Sequence, residues 1–109
     1  MKVVYVTGCL GFIGSYVTKK CLERGWMVYG VDKCTYASNK NLKWEFLRNS
    51  NFTFLEEDIK DLRHLYDCDY VINTAAESHV GNSIVDSEEF ISSNIMGVKN
   101  LLDLIRNRP

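Results

Sequence analysis

VTGCLGFIGSYV, Val6 to Val17, joins a strand-like run to a helix-like one and places glycines at positions 8, 11 and 14. Upstream, KVVYVT (Lys2 to Thr7) is a nearly unbroken β-prone run, the pattern of a strand covered on both faces. Downstream, Ile13, Val17 and Cys21 recur at helical spacing and Gly25 supplies a stop, which predicts a helix from about residue 13 to 24. A glycine triplet alone is weak evidence, because glycine is common in any turn. A triplet that leaves a strand and opens a helix says more: backbone N–H groups at the helix start face a phosphate, with only hydrogens on the glycine Cα atoms in the way. On this reading Gly8 permits the tight turn, Gly11 lets a pyrophosphate approach, and Gly14 lets the helix pack close to the sheet. The spacing GxxGxxG is one residue longer than GxGxxG and marks a subset of dinucleotide-binding domains.

The same grammar repeats along the chain. WMVYGVD (Trp26 to Asp32), FTFLEED (Phe52 to Asp58) and DYVINTAA (Asp69 to Ala76) read as the second, third and fourth strands. Leu42, Phe46 and Leu47 suggest a short helix before the third strand, and Leu62, Leu65 and Tyr66 a weaker helical turn after it. The last segment has a capping-box pair, Asp86 and Glu89, ahead of a stripe of Phe90, Ile91, Asn94, Ile95, Val98, Leu101, Leu102 and Ile105. A helix of roughly 20 residues there would span about 30 Å. Strands alternating with helices predict an α/β fold, a Rossmann-like doubly wound parallel sheet, incomplete, with about four strands in the order 3-2-1-4.

With 109 residues and 46% hydrophobic content, the chain suits one small domain with its own core. Thirteen basic residues nearly balance fourteen acidic ones, for a net charge of −1. No basic run marks a nucleic-acid or membrane partner, so small neutral or anionic ligands are expected. Cys9, Cys21, Cys34 and Cys68 have no CxxC spacing and no metal-ligand pattern, and read as reduced thiols. Neither a signal peptide nor a bilayer-length apolar run is seen, so a cytoplasmic protein is expected.

Asp32 ends the second strand, 18 residues after Gly14. A carboxylate there can accept both adenosine ribose hydroxyls and repel a 2′-phosphate, which favours NAD over NADP. Read alone, Asp32 is as readily a turn cap. Lys33 complicates the reading, since a neighbouring cation can rescue 2′-phosphate binding. Asp58, which alone would be a turn residue, could accept the adenine amine, with Ile59 covering the ring face.

At this point the residues resemble a known family. TGCLGFIG (Thr7 to Gly14), VDKCTYAS (Val31 to Ser38), EDI (Glu57 to Ile59), NTAAESHV (Asn73 to Val80) and NIMGVKNLLDLIR (Asn94 to Arg106) resemble the extended short-chain dehydrogenase/reductases of the NAD-dependent epimerase/dehydratase family. Within it they are most similar to nucleotide-sugar 4,6-dehydratases of the dTDP-glucose type. The resemblance covers the whole chain and implies a Rossmann domain holding NAD, followed by a smaller sugar-nucleotide domain that this chain lacks. It implies that Gly8, Gly11, Phe12, Ile13 and Gly14 line the pyrophosphate, that Asp32, Lys33 and Thr35 lie near the adenosine ribose, and that Asp58 and Ile59 lie at the adenine. Thr74, Ala75 and Ala76 would run beside the nicotinamide half, Ser93 would place a hydroxyl near the cofactor, and Ser78 and His79 would face the sugar nucleotide. His79 has an ordinary alternative as a loop histidine bonded to nearby backbone. Where the dehydratases commonly have Asp-Arg after AAESHV, this chain has Gly81-Asn82, which leaves room for an epimerase.

The family's chemistry also uses a tyrosine with a lysine four residues later, to move a proton as hydride leaves the sugar. Tyr16 with Lys20 and Tyr36 with Lys40 have the spacing but fall at the pyrophosphate and adenosine ends, so no catalytic residue is assigned. Two functions are therefore expected: the NAD-binding N-terminal part of a nucleotide-sugar dehydratase or epimerase, inactive by itself, or a stand-alone non-catalytic dinucleotide-binding module. Under the first, Val98, Leu101 and Ile105 or their neighbours leave apolar surface for later elements or for a homodimer through the last helix.

Overall fold

The computed structural model describes residues 1–34, 40–74 and 97–106. Four parallel strands, β1 (Val3–Thr7), β2 (Met27–Asp32), β3 (Phe52–Glu56) and β4 (Tyr70–Asn73), form one sheet in the order β3-β2-β1-β4. This is the expected order, with β1 in the interior and the chain switching sides between β3 and β4. Helix α1 (Phe12–Glu23) follows β1, α2 (Lys40–Leu47) follows β2, a 3-10 turn (Ile59–Asp61) follows β3, and α3 (Gly97–Arg106) is the last described element. Expected strand residues 75 and 76 and the capping pair Asp86 and Glu89 lie outside the described residues.

Alternation along the strands divides the core in two, because successive side chains point to opposite faces. Val4, Val6 and Val28 meet Cys21, Phe46 and Phe52 on one face, with Val17 and Leu42 packed against them. Tyr5 and Val31 meet Ile59, Leu62, Leu65 and Leu101 on the other. Two-sided burial of β1 is why its sequence is an apolar run rather than an alternating one. Tyr5, fully buried, reaches a polar partner by accepting the Tyr66 N–H at 2.7 Å. Burial pushes its phenol up to about 12.

Three expectations shift. In α1 the buried residues are Gly14, Thr18 and Cys21, while Ile13 is exposed and Val17 partly buried. The helix sits so close to the sheet that small residues must face it, and Thr18 fits by donating its hydroxyl to Gly14 O at 2.8 Å. The turn after β3 is Ile59–Asp61, ahead of Leu62, Leu65 and Tyr66, which follow in irregular chain; Asp58 caps it by accepting the Lys60 N–H. Along α3, Leu101 is core, not surface, and the exposed apolar residues are Leu102 and Ile105.

Asn100 on α3 fastens that helix to the turn. Its Nδ2 donates to Ile59 O and to Leu62 O, each at 2.7 Å. Asn100→Leu should therefore lower the unfolding free energy by about 1–2 kcal/mol, measured by urea denaturation, because two carbonyls lose a donor in a half-buried place. An unchanged urea midpoint would show that α3 is held by apolar packing alone.

Candidate functional site

Parallel pairing brings the carboxyl ends of all four strands to one edge, with Thr7 aligned to Val31 and Asn73, and Asp32 to Glu56. The glycine loop leaves that edge from β1, beside the point where the strand order reverses. In open α/β sheets this crevice is where ligands bind. Gly8 turns at φ +70°, and its N–H donates to Val31 O at 2.6 Å, so the loop begins tied to β2. Gly11 N–H closes the turn on Gly8 O at 3.0 Å, and Gly11 stands in extended backbone as the N-cap of α1. No side chain caps that helix and no acid lies in its first turn, so its N-terminal N–H groups and dipole are unanswered by any side-chain cap.

Gly14 is the closest approach. A Cβ there would lie 1.9 Å from Gly8 O and 2.6 Å from Thr74 Oγ1. Thr74, just past β4, donates its hydroxyl to Thr7 O at 2.6 Å, and its N–H also reaches Thr7. Thr7 Oγ1 in turn donates to Asn73 Oδ1. Thr74 therefore stitches β4, β1 and the glycine loop together at the crevice floor.

Asp32 is 6% exposed, and both of its oxygens accept backbone N–H groups: Oδ2 from Leu10 at 3.0 Å and Oδ1 from Cys34 at 2.7 Å. Its carboxylate thus holds the glycine loop and the turn after β2, where Cys34 adopts a left-handed φ of +58°. Neither Leu10 nor Cys34 was legible as a site residue, because each contributes a backbone N–H that no side-chain pattern reports. Lys33 extends to Asp58, Nζ to Oδ2 3.6 Å. The Ile59 side chain is 4% exposed and packs in the core with Gly97, Leu62 and Leu101.

Phe12 and Ile13 are 94% and 65% exposed and flank the loop at the start of α1. Tyr16 and Lys20 lie on the outer side of that helix, where the ammonium sits 5.4 Å from the ring centroid and 3.6 Å from Glu23. Burial raises the Cys9 thiol, with the Asp32 carboxylate adding to it, and burial then Glu56 and Asp32 raise Cys34, so neither is an activated nucleophile. Thr35, Ala75, Ala76, Ser78, His79, Ser93 and Tyr36 lie outside the described residues. Among the described residues no His, Cys, Asp or Glu group is arranged for a metal, and no helix is long and apolar enough to cross a membrane.

The family model for GDP-mannose 4,6 dehydratase matches residues 5–108. The dTDP-glucose 4,6-dehydratase of Neisseria meningitidis serogroup B is 41% identical over 113 residues, covering 97% of this chain and 32% of its own length. Among solved structures, the dTDP-glucose 4,6-dehydratase DesIV of Streptomyces venezuelae, determined with NAD bound, superposes with a TM-score of 0.85 at 31% identity, over 94% of this chain and 35% of that one. The UDP-glucose 4-epimerase of Thermotoga maritima superposes with a TM-score of 0.79 at 32% identity, over 94% of this chain and 33% of that one. The chain thus spans about a third of the length of the relatives it matches. With a model match across nearly its whole length, on the strand order and glycine loop described above, the chain belongs to the GDP-mannose 4,6 dehydratase family.

Proposed function

We propose that the chain is the NAD-binding, N-terminal part of a nucleotide-sugar 4,6-dehydratase. The observation that carries this reading is the glycine loop at the β1–β4 switch point, tied down by Asp32 and opening into an α1 whose first turn no side chain caps. These residues fit a dinucleotide: Gly11, the N-cap of α1, adds no side chain beside first-turn N–H groups that no side chain caps, which leaves them open to an anion. When bound, NAD would accept the hydride in oxidation at sugar C4 and, after water is eliminated, would return that hydride in the re-reduction. Gly8, Gly11, Phe12, Ile13 and Gly14 bind and orient the pyrophosphate through loop and helix N–H groups. Asp32, with Lys33 and Thr35 nearby, accepts from the adenosine ribose, and Asp58 accepts from the adenine amine. The family resemblance assigns Thr74, Ala75 and Ala76 to the nicotinamide half together with Ser93, and Ser78 and His79 to the sugar nucleotide. The relatives named as dTDP-glucose 4,6-dehydratases favour a nucleoside-diphosphate glucose as substrate of the whole enzyme. The epimerase likeness at 32% identity supports C4 epimerisation as the second reading. A second copy against α3 would cover Leu102 and Ile105.

NAD at 100 times its dissociation constant should stabilise the chain by about 2.7 kcal/mol and raise its Tm by several degrees, and NADP should do less. Differential scanning fluorimetry with both cofactors reads this directly. A flat response to NAD would overturn the reading, and equal shifts would overturn the part assigned to Asp32.

A further inference from the structure

A lysine beside the ribose-binding carboxylate is the group that would admit a 2′-phosphate, and Lys33 holds that sequence position. Its side chain is turned across to the end of the next strand. There Nζ lies 3.6 Å from Asp58 Oδ2, with the two side chains 27% and 17% exposed. A pair so sheltered is screened less than one in open solvent. Asp58 is itself fixed, because Oδ1 accepts the Lys60 N–H at 3.1 Å and the following residue, Ile59, is anchored in the core. The acid therefore retains the cation from a rigid base. Lys43 on α2 is paired instead with Glu56, Nζ to Oε1 3.6 Å, an acid 59% exposed.

We infer that Asp58 sets cofactor choice at a distance, by keeping the Lys33 ammonium engaged at the adenine end and away from the ribose 2′ position. Discrimination against NADP then rests on two carboxylates with different tasks. Asp32 repels the 2′-phosphate, and Asp58 withholds the cation that would compensate it. The inference rests on the NAD-binding reading above and adds Lys33 and Asp58 to it as a specificity pair.

The test is Asp58→Asn in the full chain, with dissociation constants for NAD and NADP measured by calorimetry. Asparagine keeps the shape and one side-chain oxygen to accept the Lys60 N–H, and is itself a good cap, so the turn survives while the charge goes; any weakening at the adenine falls equally on NAD and NADP, which share that ring. The preference for NAD over NADP should narrow about tenfold, the size of one charge-assisted hydrogen bond, mainly through tighter NADP binding. Adding Lys33→Met should remove that gain. Glu56→Gln deletes the same charge two residues away, at the end of β3, but releases Lys43, and should move the preference less than about twofold. An unchanged preference in Asp58→Asn, a narrowing that survives Lys33→Met, or an equal effect from Glu56→Gln would overturn the inference. Failure of the parent chain to bind NAD would overturn the reading beneath it and this inference together. Should Asp58→Asn fail to fold, Asp58→Ser keeps a capping oxygen without charge and carries the same comparison.

Discussion

Gly14→Ala is expected to cost about 2–3 kcal/mol of stability and to remove the stabilisation by NAD, although alanine is ordinarily the better helix former. In an exposed helix interior the substitution would gain about 1 kcal/mol. Here the new methyl would sit 1.9 Å from Gly8 O and 2.7 Å from Gly8 C, and both are backbone atoms that no rotamer change can move. The third neighbour, Thr74 Oγ1 at 2.6 Å, is committed to Thr7 O and turns toward Gly8 O as well. Relief comes only if α1 lifts off the sheet edge, which pulls Thr18 and Cys21 out of their packing and moves the first-turn N–H groups away from the phosphates. Gly11→Ala is the control. Its methyl would meet Gly8 O at 3.3 Å, a contact that a few tenths of an ångström relieves, so its loss should stay under about 1 kcal/mol. Urea midpoints for both variants decide the matter: a Gly14→Ala chain as stable as its parent would show that the helix can float.

The strands and their order were legible because parallel, doubly covered strands leave apolar runs, and glycine loops with strand-end acids punctuate them. Lys2–Thr7 shortened by one residue to Val3–Thr7, and Trp26–Asp32 to Met27–Asp32, which is ordinary end fraying. The buried face of α1 was not legible. A search for apolar periodicity finds Ile13, Val17 and Cys21, whereas a helix pressed to within contact of a glycine turn buries Gly14, Thr18 and Cys21, two of which are not apolar side chains. The packing of Ile59 was hidden for a related reason: α3 returns to it through Gly97, a contact between residues 38 positions apart. Lys33 shows the limit most sharply, since a lysine beside Asp32 has opposite meanings depending on where its ammonium goes, and Asp58 is 25 residues away in sequence. Long-range pairing of that kind leaves no local pattern to read.

Asp32→Ala is expected to show that this carboxylate shapes the site as well as selecting the cofactor. Its oxygens serve the Leu10 N–H at 3.0 Å and the Cys34 N–H at 2.7 Å, and the group is 6% exposed. A buried N–H that loses its acceptor costs about 1–3 kcal/mol. Cys34 is partly open to water, which discounts its share, and release from its φ of +58°, a conformation that costs an L residue roughly 1–2 kcal/mol, offsets more of it. The total loss should be about 1–3 kcal/mol by urea denaturation, with the Leu10 N–H carrying most of it. Asp32→Asn separates the two tasks. One carbonyl oxygen remains to accept an N–H, so about half of the stability returns, while the negative charge that opposes a 2′-phosphate is gone from both variants. The gap between the Tm shifts produced by NAD and NADP should therefore close in both, whereas the urea midpoint should fall much further in alanine than in asparagine. Full stability in Asp32→Ala would mean that the loop needs no anchor at β2. A cofactor gap that persists in both variants would assign the choice between NAD and NADP to other residues, with Lys33 and Asp58 the first to examine.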